Sequence, residues 1–268
     1  MALDALTSTL AAVSHEQWCD CFAAVGALTF PLLFSVNPAY GKTFRRSWGR
    51  PLSGRWGWFV QEIIAPVTLL SSYYSARATN ESLLTPQPVH VFLFLFTLHY
   101  ANRAVLYPLQ RHMSPTALVV VLSSILFNLV NGHLIGVELA TRTAAQLSNW
   151  RDLAGARVVG GLALMALGAW VNVSSDARLR ALRARMPGDR GYYIPNGGLF
   201  ELVCCPHYFG EGLEWTGFAF ASSTRSGCVF AFWTFANLIP RAWNTRNFYR
   251  EKFREFPLKR RCMLPYVL

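Results

Sequence analysis

The sequence predicts an all-α, polytopic integral membrane protein, and three observations carry that reading. Hydrophobic residues make up 53% of the 268 positions and charged ones only 15%, where a soluble domain carries about 25% charge. The mean hydropathy is positive, +0.26. Apolar stretches recur at 18 to 38, 56 to 75, 87 to 108, 116 to 137, 153 to 174, 210 to 223 and 226 to 240. Most of them approach the roughly 20 residues a helix needs to cross a bilayer. About seven spanning helices are expected, in one integral-membrane domain covering 1–268, with the sixth and seventh short and closely spaced.

The net charge of +11 suggests nucleic acid until the basic positions are read. Lys42, Arg45, Arg46, Arg50 and Arg55 follow the first stretch, Arg111 the third, and Arg178, Arg180, Arg183, Arg185 and Arg190 the fifth. Arg241, Arg246, Arg250, Lys252, Arg254, Lys259, Arg260 and Arg261 follow the seventh, whereas the opposite loops hold only Arg77, Arg142, Arg151 and Arg225. This alternation is the positive-inside pattern, with the N-terminus outside and the C-terminus in the cytoplasm. The charge is thereby assigned to membrane lipid, and no nucleic-acid partner is expected. Before Trp18 no basic region leads into an apolar one, so no cleaved signal peptide is expected and the first span does the targeting. Cys19 and Cys21 are one residue apart, Cys204 and Cys205 adjacent, and Cys228 and Cys262 isolated. None of this is zinc spacing, so free, packed thiols are expected and no metal.

The segment from Asp176 to Pro206 begins as a basic helical continuation of the fifth span and breaks at Pro187-Gly188 and Pro195-Asn196-Gly197-Gly198, the composition of a hinged cap. After Pro240, Phe248, Tyr249, Phe253 and Phe256 interleave with Arg and Lys, which suits either a ligand-closing tail or an amphipathic surface helix.

The most informative run is Tyr192 to Trp215. A Gly/Pro-rich turn feeds a helix on which His207, Glu211, Glu214 and Trp215 fall at i, i+4, i+7 and i+8, one face of an apolar segment. Ionisable groups are expensive there and mark a site. Gln61-Glu62 lies near the middle of the second span, and the third carries His99, Tyr100, Arg103 and Tyr107. The last three, at i, i+3 and i+7, share one stripe. Asn172, Asp176, Arg180 and Arg183 form another stripe leaving the membrane on the cytoplasmic side. With Arg241 and Tyr249 these could enclose a phosphate-rich ligand, because guanidinium binds phosphate bidentately. No G-x-G-x-x-G after a strand, Walker loop, histidine cluster or serine elbow is present, so a nucleotide would need a non-Rossmann arrangement.

These residues resemble the steroid 5α-reductase family, the 3-oxo-5α-steroid 4-dehydrogenases, and suggest a bacterial-type member. The resemblance is carried by Asn172 to Asp176, Tyr192 to Trp215, and Arg241 through Phe248-Tyr249, Lys252-Phe253 and Pro257-Leu-Lys-Arg-Arg to Leu264-Pro265. Trp58-Phe-Val-Gln-Glu62 and His99-Tyr100 to Tyr107 extend it over most of the chain after about residue 40. It implies NADPH-dependent reduction of a Δ4-3-oxo steroid, with hydride delivered to C5 and a proton to C4. Glu62 and Tyr100 would bind the 3-oxo group with Gln61 supporting Glu62. Trp58, Arg103, Tyr107, Asn172, Asp176, Arg183, Tyr192, His207, Glu211, Trp215, Arg241 and Tyr249 would hold the cofactor. Two departures stand out: His207 replaces an Asn of animal members, and Asn244-Thr245-Arg246 replaces a histidine-rich stretch. The resemblance also implies a monomer in a bacterial inner membrane, or in the endoplasmic reticulum of a eukaryote, with the cofactor site facing the cytoplasm.

Three other readings compete. An enoyl reductase of another lipid, a polyprenol or fatty acyl thioester, would use the same layout. Pro206-His-Tyr-Phe-Gly-Glu211 also resembles isoprenylcysteine-type methyltransferases that use S-adenosylmethionine, but methyl transfer needs no carbonyl-polarising pair such as Glu62 and Tyr100. A lipid-binding scaffold would leave Glu62, Arg103, Glu211 and Glu214 without a task.

Overall fold

The computed structural model describes residues 13–36, 48–77, 85–184 and 192–267. Lys42, Arg45, Arg46, Arg185 and Arg190 of the charge pattern, and the Pro187-Gly188 break, lie outside them. The chain is mostly helical. The principal helices are α1 His15–Ser35, α2 Gly54–Arg77, α3 His90–Tyr100, α4 Leu118–Glu138, α5 Ala156–Ala184, α6 Pro206–Ser222 and α7 Arg225–Lys252. α3 runs on through a π-helical stretch, Ala101–Leu106, and a last turn to Leu109; α4 runs on through π-helical Leu139–Thr143 to Gln146. The described strands are a two-residue pair, Pro51–Leu52 antiparallel to Thr116–Ala117, which ties the start of α2 to the start of α4.

Among the described residues, three helices are long and apolar enough to cross a membrane: His15–Ser35, Leu118–Gln146 and Ala156–Ala184. Mid-helix side chains on the outside are themselves apolar: Leu28 is 71% exposed, Trp170 67%, Phe94 and Leu126 64%. A water-soluble surface does not carry such a belt, and a lipid-facing one does.

Local signals set the helix limits. Ser14 caps α1 reciprocally with Gln17, its backbone N–H donating to Oε1 at 2.8 Å while the Gln17 N–H donates to Ser14 Oγ at 3.2 Å. Between α6 and α7, Ser223 takes a left-handed conformation (φ 55°) and Thr224 Oγ1 accepts from the Gly227 N–H at 3.2 Å. That corner needs only two residues. The seventh apolar stretch was expected to end at Pro240, but α7 continues to Lys252 with Pro240 inside it. Proline removes one donor without forbidding a helix when tertiary packing holds both sides, and both Pro240 and Ala242 are buried.

Two close crossings organise the bundle. α5 lies along α6, where a Cβ built on Gly168 would meet the Gly210 carbonyl oxygen at 2.6 Å and one on Gly217 would meet the Gly161 carbonyl oxygen at 2.6 Å. α2 lies along α4, where a Cβ on Gly132 would meet the Ala65 carbonyl oxygen at 2.8 Å. Small residues let backbones touch, the packing that holds helices together where lipid offers no hydrophobic drive. The main core, including Leu69, Phe92, Phe96, Ile135, Trp215 and Phe218, fills the space between the two pairs.

Candidate active site

The α6 face expected from the sequence exists. Pro206 takes the first helical position, where its missing N–H is no loss. From there His207, Glu211, Glu214 and Trp215 each meet α3 or α5. The Asn172 Nδ2 donates to the His207 carbonyl at 2.9 Å and to Glu211 Oε2 at 3.4 Å. Arg103 Nη2 lies 3.4 Å from the same Glu211 oxygen. One turn further into the helix, His99 Nδ1 lies 2.8 Å from Glu214 Oε1, both side chains buried.

Around Arg103 the site is cationic and aromatic. Trp58 and Tyr107 stack with ring centroids 5.3 Å apart at 25°, and the guanidinium lies 5.0 Å from each centroid. The Trp58 indole N–H donates to the Arg103 carbonyl at 2.9 Å. A second ion pair closes this end of the bundle: Arg111 Nη2 is 2.8 Å from Asp176 Oδ1, and Arg111 Nη1 donates to the Tyr107 hydroxyl at 3.1 Å. Arg111 thus lies in the loop after α3, as the sequence suggested, and is joined from there to α5.

Toward the interior, Tyr100 is 4% exposed, with Phe96, His99 and Trp215 around its ring at 4.8, 5.2 and 6.1 Å. Glu62 is partly buried and accepts from Gln61 Nε2 at 3.5 Å. It lies within electrostatic reach of Arg103, Glu211 and His99, and of Tyr100. Asn128 of α4 donates to the Gln61 carbonyl at 2.6 Å, fixing this turn of α2.

The expected stripe of Tyr100, Arg103 and Tyr107 runs through a π-helical stretch. The π-helical Ala101–Leu106 has a wider turn than the 3.6 residues on which the stripe was drawn, so its residues are displaced in register. Tyr100 enters the aromatic layer around Trp215, while Arg103 and Tyr107 face Trp58. A π-turn leaves no signature in hydrophobic spacing, so the shift was not legible.

The remaining expected residues lie nearer the tail. Tyr192 packs on Phe248 with ring centroids 4.9 Å apart, under the Lys252 ammonium at 5.0 Å. Tyr249 stacks on Phe253 and Phe256, at 5.9 and 5.7 Å. It lies beyond the apolar 226 to 240 stretch, and burial pushes its hydroxyl up to about 12, which keeps it a donor. Arg183 is exposed on the last turn of α5, within electrostatic reach of both Tyr249 and His207. Arg241 is partly buried on α7. Arg246, in the position of the departing stretch, donates to the Arg260 and Leu258 carbonyls at 2.8 and 3.2 Å, so it holds the tail.

The Pro195 to Gly198 segment carries the expected break. Gly197 and Gly198 do adopt positive φ, 86° and 58°, as a break requires. But buried Arg260 donates to the Pro195 carbonyl at 2.8 Å and to Asn196 Oδ1 at 3.3 Å, and its Nη2 is 3.7 Å from Glu201 Oε2. A parallel bridge joins Val203 to Arg261. In this state the presumed hinge is fastened to the tail.

An apolar-belted helix bundle that gathers two buried ion pairs, a buried tyrosine and a carboxylate at one end has the layout of a membrane enzyme. Its relatives give that class a family. The profile of the 3-oxo-5-alpha-steroid 4-dehydrogenases matches residues 114–268. The chain is 36% identical to human 3-oxo-5-alpha-steroid 4-dehydrogenase 1 over 259 residues, covering 96% of this chain and 95% of that one. It is 37% identical to the Rattus norvegicus protein of the same name, covering 88% of each, and 36% identical to steroid 5-alpha-reductase DET2 of Gossypium hirsutum, covering 89% and 92%. The chain therefore belongs to the 3-oxo-5-alpha-steroid 4-dehydrogenase family and, with it, to the oxidoreductases acting on CH–CH groups.

Proposed function

We propose that this protein saturates the Δ4 double bond of a 3-oxo-Δ4-steroid, using NADPH, as a multi-pass membrane reductase whose helices α1 to α7 all span. The observation that carries the reading is the convergence of Glu62 with its Gln61 support, Tyr100, and the Arg103–Glu211–Asn172 layer on one end of the bundle. The relatives' names supply the substrate class, and the positive-inside pattern supports an outside N-terminus and a cytoplasmic cofactor site.

The residues fit a dinucleotide phosphate. Arg103 and Arg111 supply cationic groups beside the stacked Trp58 and Tyr107. The buried His207 Nδ1 has no hydrogen-bond partner among the described residues, an arrangement that usually awaits one. Trp58, Arg103, Tyr107, Asn172, Asp176, His207, Glu211 and Trp215 would surround the reactive half, and Arg183, Tyr192, Arg241 and Tyr249 the far half. NADPH, when bound, supplies the hydride that C5 accepts.

The chain's own task is the carbonyl. As C5 gains a hydride, the electron pair of the Δ4 bond moves toward C4 and the 3-oxo oxygen, where negative charge develops. The Tyr100 hydroxyl and a protonated Glu62 donate to that oxygen, the interaction that counts most because it strengthens in the transition state. Gln61 holds Glu62 in place. A proton at C4 then restores the ketone. The bundle interior excludes water, and an apolar substrate reaches it from the bilayer.

The test is incubation of the purified protein in detergent with testosterone or progesterone plus NADPH. Loss of the enone absorbance with formation of the 5α-dihydro product is expected. An unchanged steroid with consumption of a polyprenol or acyl-thioester substrate instead would move the assignment to another lipid enoyl reductase.

A further inference from the structure

At the opposite end of the bundle, away from Arg103 and Glu211, three side chains from two helices face one point. His15 and Cys19 lie one turn apart on α1, and Glu138 ends α4. His15 Nε2 is 3.6 Å from Cys19 Sγ and 3.5 Å from Glu138 Oε2, and one donor atom from each of the three lies within 4.8 Å of the others. Cys19 is fully buried and Glu138 is 2% exposed.

Hydrogen bonding alone explains this geometry poorly. The 3.5 Å from His15 Nε2 to the carboxylate oxygen exceeds the 2.7–3.2 Å of an ordinary N–H···O bond. The same separations are close to the edges of a tetrahedral zinc site, about 3.5 Å between N and S and about 3.3 Å between N and O for usual bond lengths. The surroundings fit as well. Glu138 Oε2 accepts from the Ser226 N–H at 2.8 Å and Ser226 Oγ at 2.6 Å, and Oε1 accepts from the Arg225 N–H at 2.9 Å. Such outer contacts orient a ligating carboxylate. Arg142 pairs with Glu16 and Glu138, and Arg225 with Asp20, around the same corner.

We propose that His15, Cys19 and Glu138 bind one divalent cation of the zinc class, with water in the fourth position, clamping α1 to the α4–α7 corner. Sequence spacing hides the site, because the two ligands on α1 are far along the chain from the third. The ligand set is a soft thiolate, an imidazole and a carboxylate, which selects zinc over calcium or magnesium. The site takes no part in the reduction proposed above, so its fate and that of the reductase assignment are separable.

The experiment strips the full-length protein in detergent with a chelator, then equilibrates it with buffered Zn²⁺ and, in parallel, with Co²⁺. One zinc per chain by elemental analysis is expected in the wild type, with a higher melting temperature as zinc rises. Cys19→Ser and His15→Ala should each lower zinc affinity by at least 10-fold. Co²⁺ should give a thiolate-to-metal absorption band that Cys19→Ser lacks. Melting without metal shows that each variant folds, since neither removes the Glu138 bonds to α7. Equal zinc content in wild type and Cys19→Ser, or bound Co²⁺ without the thiolate band, would overturn the proposal.

Discussion

Arg103 and Glu211 meet at 3.4 Å from helices that are distant in sequence, and each is also held by a second group, Arg103 by the Trp58–Tyr107 rings and Glu211 by Asn172. The pair fixes the end of α3 against the start of α6. It also keeps a buried guanidinium neutralised and oriented, in the place where an anionic cofactor would meet it. Ion pairs taken out of water are a poor source of stability compared with apolar packing, which accords with the ligand-holding role proposed for this end.

Glu62→Gln and Tyr100→Phe should each lower turnover on the order of 100-fold or more, the effect of deleting one donor to a developing oxyanion. Cofactor affinity should change far less, because Arg103, Arg111 and Asp176 are untouched. Steady-state kinetics with cofactor titration checks both parts. Near wild-type turnover in either variant would remove the carbonyl clamp.

NADPH should be preferred to NADH if Arg183 and Arg241 hold the cofactor as proposed, because guanidinium groups pair with a 2'-phosphate that NADH lacks. Arg183→Ala and Arg241→Ala should raise the apparent KM for NADPH more than that for NADH. Equal use of both nucleotides by the wild type would leave these arginines to lipid.

The Arg111–Asp176 contact at 2.8 Å should behave as a coupled pair. Arg111→Ala strands a buried carboxylate and should cost about 3–5 kcal/mol of stability. Asp176→Asn in the same background should recover part of that loss. Thermal unfolding of the four proteins of the cycle measures the coupling, and additive losses would show that the two groups act independently.

Gly168→Ala should destabilise by about 1–3 kcal/mol through overpacking, since the new methyl group meets the α6 backbone at Gly210 and Glu214. Gly160→Ala, on the same helix with open space around it, should be neutral or stabilising by up to about 1 kcal/mol from helix propensity. Melting temperatures of the two variants should therefore move apart, and a matching pair would mean that α5 and α6 do not touch there.

Arg260→Ala should loosen the 192 to 205 segment, because three of its partners, Pro195, Asn196 and Glu201, lie there. Hydrogen exchange in that segment should rise in the variant and fall in the wild type at saturating NADPH. Exchange that ignores both changes would rule out closure of this segment over the cofactor.

The sequence by itself determined the class of structure and the chemistry carried by each helix. A charge content of 15% and recurrent apolar stretches dictate a helical membrane protein, because lipid leaves backbone groups no partner outside the helix. The 3.6-residue period alone put His207, Glu211, Glu214 and Trp215 on one face, and the face is there. What only the tertiary structure decided is which groups meet. Arg111 finds Asp176, His99 finds Glu214, and Arg260 fastens the expected hinge. Each of these joins residues far apart in the chain through helix crossings set by glycine contacts and backbone register. Such contacts depend on the sum of packing across the bundle, and no local spacing records it.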